Sequence, residues 1–282
     1  MKLNQPNAEI WVPDGTAVEQ ALARTTHMGI SAHQDDLEIM AMEGILAGFG
    51  SQEKWFTGVV VTNGAGSPRA GLYESYTDEQ MQQVRRREQK KAAFVGEYSA
   101  MALLDYPSSA VKNPAEKRPT EDLQNLIAAA RPEVIYTHNL ADKHDTHVGV
   151  TLKTIAAIRA LPKDQRPAKL YGCEVWRDLD WMVDSEKVVF NLDPHQNLSA
   201  ALLGIFDSQV AGGKRYDLAT LARRRAHATY HQSHEVDVSE QISFAMDLTP
   251  LVTDDGLDPA AYVQSFIDRF AAEVRARIAK FS

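Results

Sequence analysis

Cysteine is almost absent from this chain, since Cys173 is the only one among its 282 residues. A single cysteine excludes an internal disulfide and a metal cage built from several thiolates. Cys173 ends the segment 169–173, which is typical of a strand. We therefore expect it to pack in the interior rather than to act as a nucleophile.

Long hydrophobic runs and an excess of positive charge are also missing. No stretch approaches the roughly 18 apolar residues of a membrane span, and residues 1–6 lack the apolar segment of a secretory signal. The formal net charge of −8 disfavours a nucleic acid or an anionic membrane surface as a partner. We expect a cytoplasmic protein that binds a small neutral or cationic molecule, with a homo-oligomer left open.

The remaining composition is that of a globular protein, with 44% hydrophobic residues. Strand-like and helix-like segments alternate, which predicts an α/β, Rossmann-like fold with a mostly parallel sheet flanked by helices. We expect one domain, 1–282, with a core at about 25–175 and a less regular portion, 176–282, that completes the crevice. Predicted strands are 27–32, 55–61, 101–104, 132–138, 170–175, 187–192 and, at a sheet edge, 241–248. Predicted helices are 17–26, one ending near 49, 77–96, 119–130, 148–161, 196–209, 216–230 and 259–280.

The apolar stretch 27–32 ends abruptly in His33, Asp35 and Asp36, before apolar residues at helical spacing begin at Ile39. This order predicts a strand, a loop and a helix, with the polar side chains in the loop. Ligands of open α/β sheets bind at such strand ends, and the positive end of the following helix helps to keep carboxylates ionised. The loop is therefore a candidate metal site.

A second polar cluster, with His144 and His147, follows a later predicted strand. The two clusters can meet if their strands are neighbours in the sheet. His33, Asp36 and His147 would then be two imidazoles and a carboxylate, a set typical of catalytic zinc because it leaves one coordination position open for water. Zinc lowers the pKa of such a water from 15.7 to roughly 7, and Asp35 is well placed to be the general base.

Other interpretations fit parts of this pattern. Two aspartates before a helix often cap its N-terminus, and two histidines three residues apart are common on protein surfaces. Two histidines and a carboxylate also form the Fe(II) oxygenase triad, although the α/β alternation and the additional Asp35 disfavour it. A metal-containing sugar-binding module without catalysis stays open, but such a module would not need Asp35.

Three segments resemble motifs of the LmbE-like, or PIG-L-type, family of metal-dependent N-deacetylases. Ala32-His33-Gln34-Asp35-Asp36 is similar to the family's Ala-His-Pro-Asp-Asp, and His144-Asp145-Thr146-His147 to its His-Pro-Asp-His. The family's Arg-x-x-Glu helix is matched by Arg85 and Glu88, followed by Ala92, Ala93 and Gly96. The resemblance covers about residues 27–160.

The resemblance implies a Rossmann-like fold and a zinc-dependent hydrolase that removes an N-acyl group, such as acetyl, from a sugar-like or other small substrate. The implied ligands of Zn²⁺, or of Fe²⁺ or another divalent metal, are His33, Asp36 and His147. Asp35 would activate the water, His144 would stabilise the tetrahedral intermediate, and Arg85 would contact the sugar.

Two positions depart from the family pattern. Gln34 replaces a proline, which loosens the loop but removes no ligand. Thr146 stands where the family has an aspartate that orients the histidine at the position of His144. We expect Asp142 or Asp145 to take over that orienting role.

Further candidates lie outside these motifs. Trp176 and Arg177 are predicted to stack on and hydrogen-bond a sugar, and Asp142 is a further candidate for substrate binding. The turn-rich segment 62–71 is expected to border the crevice rather than to cradle phosphate, because it lacks the GxGxxG and P-loop spacings. A crevice wall or an interface, rather than a second metal site, is predicted for His227, His231 and His234.

Overall fold

A computed structural model describes residues 1–282 and shows one eight-stranded, mostly parallel sheet with helices on both faces. The predicted fold class is thereby confirmed. The strands are β1 (Glu9–Trp11), β2 (His27–Ser31), β3 (Phe56–Thr62), β4 (Ala100–Tyr106), β5 (Val134–His138), β6 (Lys169–Cys173), β7 (Val188–Asn191) and β8 (Ile242–Asp247).

The helices alternate with the strands through the first two thirds of the chain. They are α1 (Val18–Ala23), α2 (Asp36–Met40), α3 (Met42–Gly48), α4 (Asp78–Val95), α5 (Ser108–Lys112), α6 (Arg118–Ala130), α7 (Asp145–Arg159), α8 (Gln196–Gly204), α9 (Asp207–Val210), α10 (Tyr216–Tyr230), α11 (Pro250–Thr253) and α12 (Pro259–Ala279). A membrane-spanning helix is not found, since even α12, the longest helix, is interrupted by charged residues.

The order of the strands across the sheet is β1-β4-β3-β2-β5-β6-β8-β7. The five central strands from β4 to β6 are parallel, while β1, β8 and β7 are antiparallel to their neighbours. Every residue of β2 and β3 is buried, as a parallel sheet covered on both faces requires. The carboxyl ends of the parallel strands therefore meet at one edge, where the candidate residues lie.

Two hydrophobic clusters fill the space between the sheet and the helices. Val59 and Val61 belong to one cluster, and Val60 between them belongs to the other, because alternate side chains of a strand point to opposite faces. A close approach of α2 to β2 depends on Gly29, where an added Cβ would lie 2.7 Å from Leu37. This packing fixes the loop between β2 and α2.

Several predicted boundaries are wrong. The helix predicted to end near 49 is interrupted at Ala41, and the predicted helix 196–209 is interrupted at Phe206, where the backbone leaves helical geometry (ψ 23° and 58°). Both breaks lie in buried apolar sequence, where periodicity does not show an interruption. Helix α7 begins at Asp145, so that His147 lies in its first turn rather than in a loop.

The C-terminal portion also differs from expectation. The segment predicted as an edge strand, β8, lies inside the sheet between β6 and β7. The edge is β7, a strand of four residues in which Val189 is exposed. Strand β1 and helix α5 were not predicted, because elements of three and five residues are too short to show a period.

Candidate active site

The two polar clusters of the sequence meet because β2 and β5 are paired parallel neighbours, with His27 opposite Val134. The loop with His33 and Asp36 leaves the end of β2, and His147 lies at the start of α7, after the end of β5. Side chains separated by 114 residues are thus in contact. The two polar clusters therefore meet, as expected if their strands are neighbours in the sheet.

Three candidate ligand atoms lie at nearly equal distances from one another. His33 Nδ1 is 3.2 Å from His147 Nε2, and Asp36 Oδ2 is 3.3 Å from the former and 3.4 Å from the latter. A tetrahedral zinc ion with bonds of about 2.0–2.1 Å separates its ligand atoms by about 3.3–3.4 Å. The donor set and its spacing therefore fit a metal ion with three protein ligands.

Asp142 determines which nitrogen of His147 faces this site. Its Oδ2 lies 3.2 Å from His147 Nδ1 in a fully buried contact, so Nδ1 carries the proton and Nε2 offers its lone pair to a metal. Asp142 also accepts hydrogen bonds from the backbone N–H groups of His144 and Trp176. The carboxylate thus orients His147 rather than the ring of His144, and it does not line the cavity.

His138, the last residue of β5, supports the site and was missed in the sequence. Its buried ring stacks on His147 with centroids 3.8 Å apart, and its Nε2 accepts the backbone N–H of Ala32 at 2.8 Å. His138 Nε2 is also 3.5 Å from Asp36 Oδ2. Because its lone pair already accepts the N–H of Ala32, we do not count His138 among the candidate metal ligands. In the sequence, its position at the end of a predicted strand, just before the second polar cluster, could have identified His138 as a residue of the site.

Neither aspartate of the first motif caps α2. Asp35 is the residue before the helix but makes no side-chain capping bond, while Asp36 Oδ2 accepts the backbone N–H of His33 at 2.7 Å. Burial by itself would raise the pKa of Asp36, but His147, His138 and His33 overcome this effect and hold the pKa well below its usual range. Asp36 is therefore ionised and is a candidate metal ligand.

The backbone of Asp35 has a positive φ of 96°, a conformation that non-glycine residues rarely adopt and that concentrates at functional sites. Its Oδ2 lies 3.3 Å from Arg85 Nη2. Burial raises the pKa of Asp35 to about 7, and Arg85 opposes that rise. A carboxylate with a pKa near neutrality is suited to general-base catalysis.

Arg85 is buried beside Asp35 rather than free in the crevice. It donates to the carbonyl oxygen of Gln34, lies 3.7 Å from Glu88, and approaches Ser208 Oγ at 3.5 Å. The position of Asp35 is thus fixed by a guanidinium group that is itself held by α4 and α9.

A cavity of about 670 Å³ opens above these groups at the carboxyl ends of the parallel strands. The predicted residues that line it are His33, Asp35, Asp36, Arg85, His144 and Trp176. The ring of His144 is 5.0 Å from His33 and 6.3 Å from Trp176. Burial, together with His147 and His33, lowers the pKa of His144, and its Nδ1 is buried without a hydrogen-bond partner.

Other candidates are placed differently. Arg177 is exposed and does not line the cavity, and only its carbonyl oxygen is engaged, by Asn139. The segment 62–71 does border the crevice, through Gly64, Gly66, Ser67 and Pro68. Asp145 is exposed at the start of α7.

The three late histidines do not form a crevice wall. Helix α10 ends at Tyr230, so His234 lies beyond it. His227 is bonded to buried Glu174 at 3.0 Å, and His231 packs on Phe244. The residues of α10 that line the cavity are instead Tyr216, Ala219, Thr220 and Arg223, none of which the sequence singled out.

A protein-family model matches the central segment of the chain. The model of the PIG-L family, described as GlcNAc-PI de-N-acetylase, matches residues 28–158. The resemblance inferred from the motifs is therefore confirmed over this segment. No curated protein matches the sequence.

Solved structures share the fold at low sequence identity. N,N′-diacetylchitobiose deacetylase from Pyrococcus horikoshii, complexed with its inhibitor MPG, is 12% identical, with 82% of this chain and 86% of that chain covered and a TM-score of 0.63. Conserved protein TT1542 from Thermus thermophilus is 17% identical, with coverages of 79% and 94% and a TM-score of 0.60. GalB, the 4-carboxy-2-hydroxymuconate hydratase from Pseudomonas putida, is 15% identical, with coverages of 79% and 96% and a TM-score of 0.59.

Proposed function

We propose, from the match of residues 28–158 to the PIG-L family and from the three-donor site, that this chain is a cytoplasmic, zinc-dependent N-deacetylase. Its substrate is a sugar-like or other small N-acylated molecule, and the acyl group is acetyl. The observation that carries the proposal is the set of 3.2–3.4 Å separations among His33, Asp36 and His147, with the buried base Asp35 beside it.

The residues that would hold the metal are His33, Asp36 and His147. When bound, a divalent metal supplies Lewis acidity, which polarises the acyl carbonyl and lowers the pKa of water. Fe²⁺ or another divalent ion suits the same donors.

Asp35 takes a proton from the attacking water as its oxygen bonds to the acyl carbon. Arg85 and the buried setting hold the Asp35 carboxylate towards the cavity in a single orientation. When the C–N bond breaks, the departing nitrogen receives a proton from Asp35 or from His144. The products are a carboxylic acid and an amine, which become a carboxylate and an ammonium ion when the acid gives its proton to the amine, so the atoms of one water are fully accounted for.

We assign to His144, whose ring is 5.0 Å from that of His33, the stabilisation of the negative charge that develops on the acyl oxygen. Its lowered pKa keeps the imidazole neutral before substrate binds. A neutral imidazole still donates one N–H to the oxyanion, and the developing charge favours uptake of a second proton. Trp176, whose ring stacks near His144, provides an apolar platform for the sugar.

The proposal is tested by metal content and by amine release from a panel of N-acetylated sugars. Asp35→Asn removes the base and is expected to lower kcat by about 10²–10⁴-fold while the metal content stays at one per chain. Asp145→Asn is the matched control, because Asp145 is an exposed aspartate close to the site in sequence. Full activity of Asp35→Asn on the best substrate would show that the assigned base is wrong.

The same panel separates the proposed reaction from its alternatives. A deacetylase and a hydratase share this fold, so the fold by itself does not decide the reaction. Amine release that needs no dioxygen supports hydrolysis and excludes an oxygenase. Tight sugar binding without any amine release would indicate a binding module instead.

A further inference from the structure

The cavity is cationic although the chain carries a net charge of −8. Outside the candidate metal site its lining includes four positively charged side chains, Lys112, Lys143, Lys214 and Arg223. Its only acidic side chains, Asp35 and Asp36, are the proposed base and ligand, which are engaged with Arg85 and the histidines. The charge of the cavity lining is thus opposite in sign to the net charge of the protein.

The lysines of this lining are available for a ligand. The lysines that form ion pairs in the structure are Lys90, Lys169 and Lys187, and none of these lines the cavity. Lys143 and Lys214 instead lie against an aromatic ring. Their ammonium groups therefore have no carboxylate partner within the protein.

Trp176 brings two of these charges to one place. Lys214 Nζ lies 5.1 Å and Lys143 Nζ 6.0 Å from the centroid of its ring. The same ring is 6.3 Å from that of His144, which adjoins His33. A molecule that contacts Trp176 therefore lies close to both ammonium groups and, past His144, to the candidate metal site.

Arg223 adds a fixed positive charge to this side of the cavity. Its Nη1 donates to the carbonyl oxygen of Val175, the residue before Trp176, at 2.6 Å, which anchors the guanidinium. A concave site lined by charges of one sign focuses the electrostatic potential and concentrates ligands of the opposite sign. Such a site disfavours the neutral or cationic ligand expected from the net charge.

We infer that the N-acylated substrate carries an anionic group, a phosphoryl or a carboxylate group, and that Lys143 and Lys214 bind it beside Trp176 while the amide lies at the metal site. The inference rests on the proposed function for the identity of the reacting end. Lysine ammonium groups bind phosphate and carboxylate oxygens through charge-assisted hydrogen bonds.

The test compares neutral and anionic probes on the metal-loaded enzyme. kcat/KM for amine release is measured with N-acetylglucosamine, N-acetylglucosamine 6-phosphate and N-acetylmuramic acid, and binding of glucosamine 6-phosphate is measured by calorimetry. The variants are Lys143→Gln, Lys214→Gln and their combination. Lys91→Gln is the matched control, because Lys91 also lies over an aromatic ring, Phe94, but outside the cavity.

We expect an anionic probe to exceed the neutral sugar in kcat/KM by about a hundredfold, with each lysine contributing about a factor of ten. The double substitution then removes the preference and weakens the binding of glucosamine 6-phosphate by a similar factor. The control variant Lys91→Gln is expected to keep both the preference for the anionic probe and the affinity for glucosamine 6-phosphate. Whichever anionic probe is preferred identifies the group as phosphoryl or carboxylate.

Two results would overturn the inference, namely equal kcat/KM for neutral and anionic sugars, or a preference that survives the double substitution. The first, obtained with efficient amine release, leaves the proposed function intact. Conversely, lysine-dependent binding of glucosamine 6-phosphate without amine release from any probe supports the anionic subsite and contradicts the proposed function. The two failures are therefore distinguishable.

Discussion

The floor and the rim of the cavity are built in different ways. On the floor, His147 donates a buried hydrogen bond to Asp142, and Asp36 accepts the backbone N–H of His33. On the rim, Lys143 and Lys214 are at least partly exposed and have no polar partner. The floor is organised before any ligand arrives, which suits chemistry, while the rim is free to follow the shape and charge of a substrate.

This difference predicts that substitutions on the floor affect metal binding and catalysis, and that substitutions on the rim affect substrate choice. The expected effects decrease with distance from the three donor atoms. A rim variant that lost its metal, or a floor variant that changed only substrate preference, would contradict this division of roles between floor and rim.

Removal of a donor atom has the largest expected effect. His147→Ala deletes one of three ligands, so we expect loss of the bound metal and of all detectable amine release. Metal content by mass spectrometry and activity after addition of excess zinc are the measurements. A variant that retains one metal per chain would show that His147 is not a ligand.

Loss of the orienting carboxylate has the next largest effect. Asp142→Asn leaves all three donors in place but weakens the contact that fixes the tautomer of His147. Replacement of such partners costs about 10–100-fold in metal affinity or activity. Zinc affinity measured by competition with a chelator tests this, with Asp145→Asn as the exposed control, and an unchanged affinity would contradict the role given to Asp142.

His138 is expected to contribute to stability more than to metal binding. His138→Phe keeps a ring beside His147 but leaves the buried N–H of Ala32 without its acceptor. An unsatisfied buried donor costs about 1–3 kcal/mol, so the free energy of unfolding in urea falls by that amount. His231→Phe, at a half-buried ring outside the cavity, is the control, and equal losses in both variants would refute the specific role of Ala32.

The smallest effects are expected on the rim. Trp176→Ala removes the platform and raises KM by about 3–10-fold with little change in kcat, and Trp176→Phe restores most of the loss. Arg177→Ala is the paired control, because Arg177 is adjacent in sequence but does not line the cavity. Steady-state kinetics check both, and a larger effect of Arg177 than of Trp176 would reverse this assignment.

The floor could be predicted from the sequence because its residues follow strands at fixed places. Once β2 and β5 are neighbours, the ends of both strands lie together, and the motifs specify the rest. From the sequence we expect Asp142 or Asp145 to orient His144, but Asp142 bonds the ring of His147 instead and Asp145 is exposed. Only the backbone path after β5 places one carboxylate inside and the other outside.

The rim could not be predicted in the same way. Helix α10 packs on β8 and α8, and this packing brings the rim residues of α10 and of the segment before α10 to the cavity. No local sequence pattern predicts such a contact. The net charge of −8 averages over the whole surface and hides a cavity of the opposite sign. Trp176 and Arg177 were predicted together, but consecutive side chains in a loop diverge, and one of the two lies outside the cavity.

The most direct test of the central claim is a crystal structure of the zinc-loaded protein with anomalous diffraction at the zinc edge. We expect one zinc ion bound at about 2.0–2.2 Å by His33 Nδ1, Asp36 Oδ2 and His147 Nε2, with the Asp35 carboxylate facing its open side. A zinc ion bound instead through His138 or His144, or a site that stays empty at saturating zinc, would contradict it.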